Sequence, residues 1–351
     1  MALFSVPAVR VAGISTAVPK KEISNWDYDL ISIDERKLLI QTTGVEKKRI
    51  VENGTTTSDL CFAAAEKLIS ELGWKKNEIE IVIFLSQSRD YFIPSTSTIL
   101  QDRLGLSKNC ITFDVGLGCS GFVYGMSVIS GMMSASKLKK GLLMTGDISS
   151  VNCSKEDKSS YPLFGDAGAV TAVELDESAG PFYFNLKSDG AGYKSIIIPG
   201  GGMRNPATAE SLQLKKLDEG ITRSAIHLQL NGMDIFNFSV TQVPASVNEY
   251  FDFTKTAAKD FDYFIMHQAN LLMNETIRKK LKFESGKVPY SLSKFGNTSS
   301  ASVPVTLVSQ LRKELQSQSL NFLIAGFGVG LSWGVMNLNT DKIICPEMIE
   351  V

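Results

Sequence analysis

Short apolar runs alternate with helical repeats along the chain. Residues 80–85 (EIVIFL), 110–115 (CITFDV) and 141–145 (GLLMT) are brief and mostly apolar, as buried strands are. Between them, residues 59–72 place apolar side chains at helical spacing, and Thr57 and Ser58 are cap-type residues just ahead. Residues 95–104 read as a helix, and 119–137 as a long helix of small and apolar residues. Residues 1–11 are apolar but short, and Arg10 interrupts them, so they predict a first strand rather than a signal peptide. Strand–helix alternation of this kind predicts an α/β fold with covered sheets.

The second half repeats the first. IEIVIFLSQS and FDYFIMHQAN are each an acidic-flanked strand that ends in a polar turn and leads into a helix. Ser86 and His267 then occupy equivalent places, 181 positions apart, and the same offset carries Cys119 to Ser300. GLLMTGD and FLIAGFG close the two copies as matching strands. The chain therefore predicts two α/β halves, residues 1–180 and 181–351, with the nucleophile candidate in the first. Residues 187–221 are rich in Gly, Pro and Ala, and predict an irregular excursion near the surface or a site mouth.

Composition narrows the function. The 351 residues carry 36 basic and 37 acidic side chains, a net charge of −1 that argues against a nucleic-acid binder. No apolar run is long enough to span a bilayer, so a soluble, cytoplasmic protein is expected. The five cysteines are scattered, with no CxxC pair, which fits reduced thiols and gives no zinc signature. Only two histidines occur, His227 and His267.

Four segments carry chemistry. In DVGLGCSGF, Cys119 stands between a strand and a helix amid Gly116, Gly118 and Gly121. A helix N-terminus offers free N–H groups and partial positive charge, which favour a thiolate and an oxyanion. Cys61, Cys110, Cys153 and Cys345 lack that setting and read as inert. In FIMHQAN, His267 ends a strand, where α/β folds place functional groups, whereas His227 lies in the alternating segment IHLQLNG and reads as structural. Asn297 in FGNTSS is by itself an ordinary turn residue. GFGVGLSWG at 326–334 is a glycine-rich turn without the following helix that a dinucleotide fingerprint needs.

In combination and order, these segments resemble the thiolase-like condensing enzymes, and among them β-ketoacyl-acyl carrier protein synthase III. GISTAVP, TTGVEKKRI, FGDAGAV and LNGMDIFNF extend the resemblance over nearly the whole chain. It implies a five-layered α-β-α-β-α fold built from two duplicated halves, and a homodimer. It implies Cys119 as acyl acceptor, with His267 and Asn297 as the pair that stabilises the enolate left by decarboxylation. Backbone N–H groups of Cys119 and Val329 would form the oxyanion hole. The substrates implied are acyl-coenzyme A or acyl-carrier protein and malonyl-carrier protein, with no permanently bound cofactor or metal. Elongating synthases carry a second His where Asn297 stands, and degradative thiolases a second Cys near the terminal turn, which here has none.

Several positions depart from that pattern. A Trp and an Arg that clasp coenzyme A are replaced by Leu38 and Thr42, and an Arg after HQAN by Leu272. Lys279 and Lys280 remain as candidate docking residues for an acidic carrier protein. Val329 stands where the family has glycine, which removes φ freedom. Ile93, beside Phe92, matches the residue that floors the acyl pocket of the partner subunit, and Phe327 is placed in the same pocket. These departures keep open an acyltransferase of the same fold acting on an oxygen or nitrogen acceptor. A non-catalytic scaffold is the third reading, opposed by retention of all three reactive residue types.

Overall fold

In a computed structural model that describes residues 2–52 and 54–351, eleven strands and seven helices build the frame around the site. In chain order they are β1 (Ala2–Val6), β2 (Val9–Val18), α1 (Ile33–Thr43), α2 (Thr57–Leu72), β3 (Ile81–Leu85), α3 (Thr96–Arg103), β4 (Ile111–Val115), α4 (Gly121–Ser136), β5 (Lys140–Ile148) and β6 (Asp166–Leu175). The second half continues with β7 (Phe182–Ser188), α5 (Gly232–Thr254), β8 (Tyr263–Met266), α6 (Leu271–Lys280), α7 (Ser302–Ser317), β9 (Ser319–Gly328), β10 (Ser332–Asp341) and β11 (Ile349–Glu350).

The duplication is visible in the strand order. One sheet runs β11-β2-β6-β5-β3-β4 and the other β1-β7-β10-β9-β8. The stretch β2-β6-β5-β3 corresponds to β7-β10-β9-β8 in order, and also in direction. β3 with β5 and β8 with β9 are parallel, while β5–β6, β9–β10, β2–β6 and β7–β10 are antiparallel. β4 has no counterpart in the second sheet. Each half also lends a strand to the other: β1 pairs with β7, and β11 with β2.

Five layers follow from which helix faces are apolar. α4 buries Phe122, Val123, Met126, Ile129 and Met133, and α7 buries Val303, Leu307, Val308 and Leu311, in one core shared with both sheets. These two helices form the central layer. α2 and α3 cover the outer face of the first sheet, and α5 and α6 that of the second. Each such fully buried side chain contributes about 1.5–3 kcal/mol over leaving it exposed.

Local departures from the sequence expectations have physical causes. Residues 1–11 form two strands rather than one, broken at Ala8 with φ of 64°, and Met1 lies outside the described residues. α2 is capped by Thr56 rather than by Thr57 or Ser58, because Thr56 and Asp59 complete a reciprocal capping box. The long helix begins at Gly121, which leaves Cys119 in the turn before it. The alternating segment around His227 is mostly loop, with only Gln229–Leu230 as strand. No helix among the described residues is long and apolar enough to cross a membrane.

Candidate active site

Cys119, His267 and Asn297 come from three separate turns and line one cavity of about 490 Å³. Cys119 follows β4 at the N-terminal end of α4. Two of the glycines around it, Gly118 and Gly121, are there for space, whereas a Cβ on Gly116 would meet nothing. A Cβ on Gly118 would sit 2.3 Å from Gln87 Oε1, and one on Gly121 2.2 Å from Leu85 Cδ2. Across the site, Gly328 ends β9 with φ of 153°, and a Cβ there would meet Cys119 Cβ at 2.5 Å and Sγ at 2.9 Å. The sulfur thus lies directly against backbone that only glycine allows.

The turn after Gly328 links β9 and β10, so GFGVGLSWG is a hairpin. Val329 costs nothing in backbone freedom: the positive φ angles fall on Gly328 and Gly330, not on it. The backbone N–H groups of Val329 and of Cys119 both lower the proton affinity of the Cys119 sulfur. That is the donor pair expected for an oxyanion. The thiol is nevertheless not acidified. Burial pushes it up to about 11, and the backbone bond from Val329 only partly opposes this. The direction is opposite to the lowering expected from its setting, because desolvation outweighs the two N–H groups.

His267 is the first residue after β8, and its N–H donates to the Ala325 carbonyl at 2.8 Å. Its Nδ1 lies 2.7 Å from Ser302 Oγ, and its ring packs edge-on against Phe327. Burial pulls its pKa down to about 3, against a hydrogen bond to the Ser299 backbone, so it is a neutral imidazole at physiological pH. The rest of the HQAN segment braces it. The Gln268 side chain donates to the Met266 carbonyl and accepts from Ser291 N–H, Asn270 caps α6 by accepting from Met273 N–H, and the Asn274 amide donates to the His267 carbonyl.

Asn297 is clipped into place by FGDAGAV. Its N–H donates to Leu163 and its carbonyl accepts from Gly165 at 3.1 Å. Its Oδ1 accepts from Ser299 N–H at 2.9 Å, which leaves the amide N–H groups as the end for the cavity. Two neutral donors, His267 and Asn297, therefore share the cavity with one sulfur. Ile196, Ile197, Leu228 and Leu230, from the irregular excursion and the segment after it, give the cavity an apolar wall.

The other expected residues divide. Phe327 lines the cavity. Ile93 does not line the cavity of its own chain: it is 86% exposed, beside Tyr91 at 62% and Phe92 at 65%. Lys279 is exposed, but the Lys280 ammonium donates to the Val240 carbonyl at 2.8 Å and so ties α6 to α5. Leu38 and Leu272 are 64% and 51% exposed, on the helices α1 and α6 that pack together. His227 lies outside the cavity lining, its Nδ1 accepting from Ser224 N–H at 3.0 Å.

Among the lining residues that sequence reasoning missed are Gln87, Asp147 and Ser299. The signal was present for one of them. Asp147 and Gly328 also stand 181 positions apart, so the duplication that pairs Cys119 with Ser300 marks Asp147 as the counterpart of the glycine that touches Cys119.

Comparisons with known proteins point to one family. Residues 113–190 match the family model described as 3-oxoacyl-[acyl-carrier-protein] synthase III, and residues 251–340 match its C-terminal counterpart. The chain is 30% identical over 336 residues to a β-ketoacyl-[acyl-carrier-protein] synthase III of Desulfitobacterium hafniense, covering 95% of this chain and 98% of that one. It is 32% identical to a putative 3-oxoacyl-[acyl-carrier-protein] synthase 3 of Campylobacter jejuni, covering 97% and 96% of the two chains. Among solved structures, a 3-oxoacyl-(acyl-carrier protein) synthase from Burkholderia xenovorans superposes with a TM-score of 0.93 at 32% identity, over 99% of both chains. By identity and coverage, the chain belongs to the β-ketoacyl-[acyl-carrier-protein] synthase III family.

Proposed function

We propose that this protein is an acyltransferase that condenses an acyl thioester primer with malonyl-acyl carrier protein, with loss of carbon dioxide, through an acyl-Cys119 intermediate. The observation that carries the reading is the convergence of Cys119, His267 and Asn297 on one cavity, with Val329 N–H at the sulfur. In the first step the Cys119 thiolate attacks the primer carbonyl. The primer's thiolate departs and leaves protonated, and the acyl group stays on sulfur. In the second step the malonyl C–C bond to the carboxylate breaks, and carbon dioxide leaves. His267 and Asn297 donate to the thioester oxygen of the resulting enolate. The enolate carbon forms a bond to the acyl carbonyl, whose oxyanion the Cys119 and Val329 N–H groups hold. Collapse expels the Cys119 thiolate, which takes up a proton.

The neutral His267 supports this assignment, because an imidazole that does not titrate near pH 6.5 remains a neutral donor across the working range. Relatives named as synthases of acyl-carrier-protein substrates support the choice of carrier protein as partner. Lys279 supplies an exposed positive charge for it. The exposed Tyr91–Phe92–Ile93 trio favours a homodimer in which Ile93 reaches the pocket of the other copy. We read the two functional halves as residues 1–180, which bring the nucleophile, and 181–351, which bring His267 and Asn297.

Intact-mass measurement after incubation with acyl-coenzyme A and acyl-carrier protein donors tests the reading. One acyl group should appear on the wild type and none on Cys119→Ala. Labelling of Cys119→Ala would remove Cys119 as the acceptor. The exposed leucines at Leu38 and Leu272 favour one alternative, acyl transfer to an oxygen or nitrogen acceptor with an unusual donor. Carbon dioxide release from malonyl-carrier protein separates the two, since simple acyl transfer releases none.

A further inference from the structure

Ser120 follows the nucleophile and holds the N-cap position of α4. A serine there ordinarily accepts from one of the first free N–H groups of the helix. Here its side chain makes no capping bond, although it is fully buried. Its Oγ lies instead 2.7 Å from Ser332 Oγ, at the start of β10. The Ser332 hydroxyl in turn donates to the Val329 carbonyl at 2.9 Å. A carbonyl only accepts, so the single Ser332 hydroxyl proton goes to Val329, and Ser120 is the donor in the bond between the two serines. A directed chain of two hydrogen bonds therefore runs from the residue beside Cys119 to the Val329 peptide, and each bond strengthens the other.

Glycines make room for both ends of the chain. A Cβ at Gly330 would sit 3.0 Å from Ser332 Oγ, and one at Gly326 would sit 3.1 Å from both the Cα and the carbonyl oxygen of Ser120. Glycine also leaves a weakness. Val329 stands between Gly328 and Gly330, with φ of 153° and 142°, and glycine is the residue type with the most backbone freedom. Ser332 is the fixed point, because it pairs with Gly328 on β9 and with Ser188 on β7. Leu331 beside it exchanges two backbone hydrogen bonds with Asp189, at 2.8 and 3.0 Å. The two hydroxyls thus tie a tip that glycine would leave loose to a paired strand on one side and to the nucleophile turn on the other.

Val329 matters for its place. Gly328 before it backs directly onto the Cys119 sulfur, and Val329 itself lines the cavity. In the proposed function its N–H and that of Cys119 hold the acyl oxyanion, and such donors act only if they are already in place when the charge develops. We infer that Ser120 and Ser332 are positioning residues for this oxyanion hole, and that their hydroxyl chain holds the Val329 peptide at its working distance from Cys119. Neither serine lines the cavity, so both act through Val329 rather than on the substrate. Two steps pass through a tetrahedral oxyanion, the acylation of Cys119 and the attack of the enolate on the acyl group. Decarboxylation does not, because its enolate oxygen faces His267 and Asn297. A loosened Val329 therefore slows two steps and spares the third.

The role assigned to the two serines rests on Cys119 being the acyl acceptor. Single-turnover acylation of the full-length chain by hexanoyl-coenzyme A and hexanoyl-carrier protein is followed by intact mass over a range of donor concentrations. Condensation with malonyl-carrier protein, and carbon dioxide release from malonyl-carrier protein without primer, are measured in parallel. Ser332→Ala should lower the saturating rates of acylation and condensation at least about tenfold, as a small misplacement of a catalytic group does. The half-saturating donor concentration and the release of carbon dioxide should not change. Ser332→Thr keeps a hydroxyl and should recover most of the rate. Ser120→Ala breaks only the outer bond and should cost about threefold. Added to Ser332→Ala it should cost nothing more, because the two bonds act in series. Wild-type acylation by Ser332→Ala would overturn the inference. So would an equal fall in all three measurements, which is the mark of general damage, or losses that multiply in the double variant. If Ser332→Ala does not fold, Ser120→Ala decides: slowing confined to acylation and condensation supports the chain, and unchanged rates overturn it. Labelling of Cys119→Ala would instead strike at the proposed function.

Discussion

The N-terminal ends of α4 and α7 meet at the centre of the molecule, and they have become opposites. Cys119 and Ser300 each stand two residues before their helix, 181 positions apart. A Cβ added at Gly121 would lie 3.2 Å from Ser300 Cβ, so the two turns touch. Opposite Cys119, the strand ends in Gly328 and leaves room for a sulfur and an incoming carbonyl. Opposite Ser300, the matching position is Asp147, whose carboxylate fills the space and gathers the donors around it. Likewise His267 has Ser86 as its counterpart, one aimed at a cavity and the other at Asp147. Duplication supplied two equivalent corners. One was emptied to become reactive and the other was filled to support it. A reactive corner needs an absent side chain as much as a present one.

The comparison can be broken by changing each corner in turn. Cys119→Ala should abolish self-acylation, a loss of more than about 10³-fold in single-turnover rate, whereas the equivalent Ser300→Ala should remain competent. Asn297→Ala should cut carbon dioxide release from malonyl-carrier protein by about 10²–10³-fold, the usual effect of removing one preorganised donor. His267 gives a pH signature. Unfolded histidine binds a proton near pH 6.5 but the folded site only near 3, so between these values the unfolded chain holds more protons. Stability should therefore fall as pH drops from 6.5 toward 3, on the order of a few kcal/mol from this group. Denaturant melts of His267→Gln against pH should show a shallower acid slope. Gly328→Ala should cost about 1–3 kcal/mol in the same melts, since the new methyl overlaps the Cys119 side chain. Ser300→Ala should cost about 1 kcal/mol or less, as its bond to Asp147 is long.

The periodicity and the constant offset made most of the frame legible. Apolar strands such as residues 80–85 and the helices between them follow local pattern, and the offset exposed the duplication. Glycines and a strand end marked Cys119 and His267 as candidates, whereas Asn297 looked like an ordinary turn residue and was singled out only through the resemblance to the condensing enzymes. What pattern does not encode is depth. Cys119 looked acidified from its helix terminus, yet burial pushes its pKa up. Lys48 sits within the charged-looking stretch EKKR but is fully buried, its ammonium over the Tyr161 ring at 3.9 Å and its pKa pulled down to about 8. The Thr56 cap was missed because three consecutive hydroxyl residues, Thr56, Thr57 and Ser58, compete, and only the reciprocal bond to Asp59 selects one. Asp147 was missed because its meaning lies in a contact between halves, where the Ser300 hydroxyl reaches its carboxylate.

The exchanged edge strands set a timetable for synthesis. β1, the apolar stretch ALFSV, leaves the ribosome well before its pairing partner β7, which begins only at Phe182. At about 5–20 residues per second, the stretch waits on the order of ten seconds or more with its backbone unpaired. Such an orphan strand is a template for pairing with another nascent chain. The first sheet in turn keeps its β2 edge open until Ile349 and Glu350 have been made. The interlock that joins the finished halves thus leaves the unfinished chain with open strand edges.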